Sequence, residues 1–261
     1  MHLIQGLIAG VEGTDFKIVM RPVETPEQRF EAVSEAANNG RFDGVVLDHT
    51  EPQDSAVLLL LEKNIKFVTF GRTELFSEHP YLDIDNEDAA YIATRHLLGR
   101  GHRRIAMIDP PGKFLFARQR LRGYRRALDE AGIAYDEALL AELSIGARRV
   151  RERVLQMLAA ADPPTGFVTS NEVATLGAIS AGRSLGRSEF DRLGFVSRDG
   201  TNMFDYFEPA VSSCYFPLLD VGDYLAAALV KAVEGAPVAS LQTIEKTHFI
   251  ERPHRTLGET I

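Results

Sequence analysis

The sequence predicts an α/β fold of two lobes built on parallel sheets, and three observations carry that expectation. Short runs rich in β-branched and aromatic residues alternate with longer segments of helical period along most of the 261 residues, the order that joins parallel strands through covering helices. An apolar fraction of 45% against 25% charged residues suffices for buried sheets and is unlike a chain that stays unfolded. The alternation also falls into two series, and this length accommodates either one large domain or two lobes.

Residues 2–10 read as a helix leading through Gly13 into a strand at 17–21. A helix at 26–39, a strand at 43–48 (DGVVLD), a helix at 54–63 and a strand at 66–70 (KFVTF) follow. The helix at 86–100 places Ala90, Ala93, Leu97 and Leu98 at core-facing spacing, with Asn86 as its cap. The strand at 104–109 (RIAMID) closes the first series. A doubly wound lobe ordinarily begins with a strand, so a leading helix implies that the first strand of lobe one is missing.

The second series starts with a helix at 117–131, whose apolar face is Leu121, Tyr124, Leu128 and Ala131. A helix at 147–161, a strand at 166–170, a helix at 172–185 and strands at 193–197 and 212–216 complete it. After Pro217 come a helix at 218–234 and, at 241–250, a final strand and crossover, so the chain returns to both lobes. The N-terminal lobe is expected to hold 1–109 plus about 218–244, and the C-terminal lobe 110–217 plus about 245–261.

Composition argues against several functions. A formal charge of −8 repels phosphate backbones, so these residues themselves are poor DNA binders. The lone Cys214 excludes an intrachain disulfide and a multi-cysteine zinc site and fits a reducing compartment, with cytoplasm expected. The start lacks the pattern of a secretory signal, and the longest apolar run, 56–61, is far shorter than the roughly 20 residues of a membrane span. Seven scattered histidines show no metal-ligand spacing, and neither a P-loop nor a GxSxG elbow is present. No catalytic residue, metal or cofactor is expected, and Cys214, in an apolar strand, reads as a buried inert thiol.

Ligands of open parallel sheets sit beyond the carboxyl ends of the strands. Asp48 and His49 follow the second strand, Gly71 and Arg72 the third, and the loop to Arg118 and Arg120 the fourth. Asn171 with Glu172, then Arg198 with Asp199, follow strands of the second lobe. Forked donors and carboxylate acceptors together suit a ring of hydroxyls. Each has a plainer role beside this one: Arg118 and Arg120 could join Arg122, Arg125 and Arg126 on a solvated face, Asp199 could serve a turn before Gly200, and Asn171 could cap a helix. Phe114, Phe116 and Phe216 lie near strand ends, where they could stack on sugar faces or simply fill the core.

Four phrases, YLDIDNEDAAYIATRHLLGRGHRRIAMID (81–109), RLRGYRRALDEAGI (120–133), TSNEVATLGAISA (169–181) and PAVSSCYFPLLDVG (209–222), resemble the LacI/GalR family of bacterial transcription regulators. The resemblance implies two Rossmann-like lobes of the periplasmic-binding-protein type I kind, a sugar or nucleobase effector between them, and a homodimer formed through the lobes. The resemblance further implies that Arg120, Asn171 and Phe216 within these phrases, Asp199 ten residues before Pro209, and Asp48 as a pocket position of lobe one match the family's effector-binding residues. The helix-turn-helix and hinge helix that open such proteins are missing from this sequence, so operator DNA would be read by an N-terminal segment outside it. The expected function is therefore the effector-sensing domain of a LacI-type repressor that binds a small neutral sugar or glucoside. A sugar-binding protein without a DNA role is the rival, and an enzyme of sugar metabolism a distant third.

Overall fold

Two sheets organise the chain, whose computed structural model describes residues 2–253. In order, the elements are α1 (His2–Gly10), α2 (Pro26–Asn39), β1 (Val45–Leu47), α3 (Ser55–Glu62), β2 (Phe67–Phe70), β3 (Tyr81–Ile84), α4 (Asn86–Gly99), β4 (Ile105–Asp109), α5 (Leu115–Glu130), β5 (Leu140–Glu142), α6 (Ala147–Leu158), β6 (Gly166–Thr169), α7 (Glu172–Gly182), α8 (Arg187–Phe190), β7 (Gly194–Asp199), β8 (Ser212–Tyr215), α9 (Leu218–Val233), β9 (Gln242–Glu245) and β10 (His248–Ile250). Among the described residues they divide into two compact units, one of residues 2–84, 113–115 and 218–245 and the other of 85–112, 116–217 and 246–253.

The first unit holds a fully parallel sheet in the order β1-β2-β3-β9. Helix α2 starts at a capping box, in which Thr25 and Gln28 each satisfy the other's backbone N–H, and Pro26 opens the first turn. Asp54 caps α3, and α2 and α3 enclose Val33, Leu47, Ala56, Val57, Leu60 and Phe67 against the sheet. Helices α1 and α9 touch backbone to backbone: a Cβ on Gly6 would stand 1.9 Å from Leu219 O, and one on Gly222 2.1 Å from Leu3 O.

The second unit holds the order β10-β8-β7-β6-β4-β5, parallel throughout except for β10, which runs antiparallel to β8 at the edge. Alternate residues of its strands feed two cores. Ala106, Ile108, Phe167 and Phe195 pack with Val150 and Val154 of α6 and Ala178 and Ile179 of α7, the Phe167 and Phe195 rings stacking at 5.3 Å. Ile105, Met107, Val168 and Val196 pack on the other side with Ala93 and Leu97 of α4 and Tyr124 and Leu128 of α5. Packing also explains the glycine and tyrosine of the RLRGY phrase. A Cβ on Gly123 would lie 1.9 Å from Glu87 O, so α5 needs glycine to approach α4, and the buried Tyr124 hydroxyl donates to Ile105 O at 2.7 Å.

Several expectations need correction. The lobe boundary at 109 is misplaced, because β4 pairs with β6 on one side and β5 on the other and so lies inside the second sheet together with α4. Residues 17–21 form no strand: Val19 and Met20 are exposed and no neighbouring strand pairs with them among the described residues, and β propensity without a partner does not make a sheet. Asp85, not Asn86, caps α4 by accepting from Asp88 N, while Asn86 donates to Gln119 Oε1. Strands β3 and β5 are additions, and the expected stretch 241–250 resolves into β9 in one sheet and β10 in the other. The expected lobe segment beyond residue 253 lies outside the described residues.

Candidate functional site

Parallel strands end on one rim, and in the second unit that rim is polar: β4 ends at Asp109, β6 is followed by Ser170 and Asn171, and β7 ends in Arg198 and Asp199. Helix α5 buries Tyr124, Ala127 and Leu128 and thereby holds Arg120 over the rim. Arg120 Nη1 lies 2.9 Å from Asp109 Oδ1. Its other bonds are long, with Nη1 to Ser170 O and Nε to Phe116 O both at 3.4 Å. The Phe116 ring lies 4.7 Å from the guanidinium carbon, a cation–π contact that fixes the plane of the group. Asp109, Arg120, Arg198 and Ser170 line a cavity of about 20 Å³. That admits one water-sized group, such as a hydroxyl, and not a sugar ring.

Electrostatics tighten the rim. Burial, followed by the like charge of Arg120, brings the Arg198 guanidinium down to about 10. Burial pushes the Asp109 carboxyl up to about 7, against the pull of Arg120 and with a smaller contribution from Glu142. Asp199 is fully buried. Its Oδ1 accepts the N–H groups of Thr201 and Asn202, both at 3.0 Å, and Ser213 Oγ faces Oδ2 at 3.4 Å. Burial raises the Asp199 pKa and the adjoining Glu172 carboxylate adds to the rise, opposed by those two N–H groups. For Glu172 the cost of burial is outweighed by hydrogen bonds, foremost from Gly200 N at 2.7 Å, which hold it below its ordinary value.

The expected site residues thus fare differently. Arg120 and Arg198 converge on one cavity, where they meet Asp109, which was not among the expected residues. Asp199 serves its turn and is at the same time a buried acceptor. Asn171 caps α7 through Ala174 N at 2.9 Å, and Glu172 ties the Gly200–Thr201 turn to α7. Phe216 is buried, and its N–H donates to Asp199 O at 2.8 Å, which aligns the ends of β7 and β8. Arg118 is the departure: it is exposed and donates to Gly112 O at 2.6 Å, a loop anchor away from the cavity. In the first unit, Asp48 and His49 follow β1 as a pair 3.0 Å apart with both side chains more than half exposed. Arg72 follows β2 and is bound to the buried Asp83 at 3.1 Å; Thr50 Oγ1 donates to Arg72 O at 2.9 Å and so links the two strand ends.

Sequence reasoning passed over two residues. Asp109 was legible in principle, since an Asp that ends an apolar strand is itself a rim residue. Arg252 was not, because its short tail carries no pattern. It donates to Asp205 Oδ1 at 2.6 Å, Asn202 Oδ1 at 2.9 Å and Ser213 Oγ at 2.8 Å, clamping the loop after Asp199 to β8. Cys214 is inert, its Sγ donating to Ala89 O and its thiol pushed by burial up to about 12.

Parallel sheets in two units, a chain that passes between the units repeatedly, and polar strand ends define the periplasmic-type class of binding proteins. The family model described as periplasmic binding protein-like domain matches residues 94–253. The chain belongs to this family, in the form that LacI-type transcriptional regulators carry as their effector-binding domain. It is 30% identical over 216 residues to the HTH-type transcriptional regulator CelR of Thermobifida fusca, a match covering 80% of this chain and 62% of that protein. It is 29% identical over 199 residues to the HTH-type transcriptional regulator AglR of Rhizobium meliloti, covering 76% and 56%. The chain thus spans about three fifths of the length of these curated relatives. Among solved structures, a complex of the transcriptional regulator CelR with cellobiose superposes with a TM-score of 0.84 at 25% identity, covering 96% of this chain and 77% of that one.

Proposed function

We propose that this chain is the sugar-sensing part of a LacI-type repressor and that it binds a neutral sugar or glucoside through Arg120 and Asp199, with Asn171, Phe216, Glu172 and Arg198 around them. The observation that carries this reading is the mixed donor and acceptor rim at Arg120, Asp109 and Asp199. Paired N–H donors beside carboxylates match vicinal hydroxyls, and the acids Asp109, Glu172 and Asp199 disfavour phosphorylated ligands. The bound cellobiose of the similar CelR structure supports the ligand class. Operator DNA would be read by a segment N-terminal to these residues in a cytoplasmic homodimer, whose two-fold symmetry suits paired half-sites. The chain itself carries out no catalysis in this reading. Among the described residues no helix is long and apolar enough to cross a membrane.

A thermal-shift panel of cellobiose and other neutral sugars, sugar phosphates and purines tests the ligand class. A true ligand at 100 times its Kd stabilises the fold by about 2.7 kcal/mol. Stabilisation by a purine or a sugar phosphate alone would refute the neutral-sugar reading.

A further inference from the structure

Asp109 is the least satisfied group in the second unit. It is 2% exposed, and neither of its oxygens receives a well-directed hydrogen bond, nor does the buried Ser170 hydroxyl find one. Arg120 nonetheless approaches Asp109 to 2.9 Å, so what joins them is chiefly charge. Besides Asp109 the guanidinium has the Phe116 ring at 4.7 Å and two long backbone contacts, both at 3.4 Å. The groups around Asp109 are few: Arg120 from α5, Arg198 from β7, Glu142 at the end of β5, the Cys214 thiol of β8 and the Ser170 hydroxyl after β6, while α4 presents only Ala89, Ala90 and Ala93. Arg198 pushes Arg120 away by like charge, which leaves Asp109 as the group that keeps Arg120 on the rim.

We propose that Asp109 is a positioning residue that holds the Arg120 guanidinium in its ligand-facing place only while ionised, so that protonating Asp109 releases Arg120 and weakens effector binding. Because burial places the Asp109 transition close to neutrality, at about 7, the release falls where modest acidification can drive it. Protonation removes the Coulombic attraction and leaves Arg120 with its long bonds and the Phe116 ring. Above the transition the ion pair is intact and the site is set. The consequence for affinity rests on the sugar-sensing reading, whereas the coupling between the two side chains does not.

The test is therefore made first without ligand, by following the Asp109 carboxyl carbon and the Arg120 Nε–H signal by NMR from about pH 5 to about pH 9. The two signals are expected to move with one shared midpoint near 7, and Asp109→Asn is expected to abolish the Arg120 transition. An Arg120 signal that stays flat while Asp109 titrates, or that moves identically in the variant, overturns the proposal. Should the variant fail to fold, the two wild-type curves still decide, since unequal midpoints also overturn it. Cellobiose titrated at the two ends of this range supplies the functional readout: several-fold weaker binding at the acidic end in the wild type and no such difference in the variant. Absence of cellobiose binding at any pH would count against that sugar and leave the ligand-free result to judge the coupling.

Discussion

The strand ends of the two units carry the same kinds of residue, acids beside an arginine, and in the first unit Arg72 meets the buried Asp83 at 3.1 Å, but the two rims differ at their other acids. In the second unit Asp109 and Arg120 have side chains 3% and 11% exposed and Asp199 is buried among backbone N–H donors. In the first unit the Asp48 and His49 side chains are 52% and 58% exposed and lie 3.0 Å apart. The difference is one of desolvation. A buried charge interacts strongly with its partner and is stranded by losing it, whereas an exposed pair is replaced by water at little cost. The second rim therefore has the character of a preorganised site, and the Asp48–His49 corner of the first that of a surface that can adjust.

The sharpest way to break this comparison is to remove a buried anchor. Arg252→Ala takes away five hydrogen bonds to Asn202, Asp205, Val211 and Ser213 and is expected to cost about 3 kcal/mol of stability in urea unfolding, because it leaves the buried Val211 carbonyl and Ser213 hydroxyl without their donor and each buried group left unpaired costs about 1–3 kcal/mol. A loss below about 1 kcal/mol would show that the loop after Asp199 holds itself. Next in size is Gly123→Ala, which forces a Cβ onto Glu87 O and should destabilise by about 1–3 kcal/mol.

A more specific effect is expected from pH. The folded Asp109 carboxyl is raised to about 7 from an ordinary value of 3.8, so between those values the native state keeps a proton that the unfolded chain has lost. Its favourable contribution is complete below the lower value and is lost as pH rises through about 7. Thermal unfolding across this window should show wild-type stability falling relative to Asp109→Asn as pH rises; parallel curves would contradict the raised carboxyl. Smallest of all, His49→Ala should change stability by no more than about 0.5 kcal/mol, because an exposed pair contributes little. A loss above about 1 kcal/mol would mean that the first rim is as tightly built as the second.

What the sequence made legible follows the same physics. Long periodic segments such as α2 and α5, and strands with an apolar run such as β4 and β6, were readable because core burial imposes the period on them. The three- and four-residue strands β5 and β3 are too short to show a period, and the run at 17–21 has the residues of a strand but, among the described residues, no neighbour to pair with. At the site, Arg120 could be placed from the apolar face of its own helix. Asp109 and Arg252 could not be weighed in the same way, because their importance comes from partners distant in sequence: Arg252 meets Ser213, Asn202 and Asp205, 39 to 50 residues away. The boundary at 109 failed for a related reason, since only pairing reveals which sheet a strand joins.

The central claim, that a buried arginine rim senses a neutral sugar, is tested most directly by calorimetric titration of the sugar that most raises the unfolding temperature into the wild type, Arg120→Ala and Asp48→Ala. The account predicts that Arg120→Ala weakens binding by about 2 kcal/mol or more, roughly 30-fold, and that Asp48→Ala costs clearly less. Equal affinity of wild type and Arg120→Ala would remove Arg120 from the site and contradict the account.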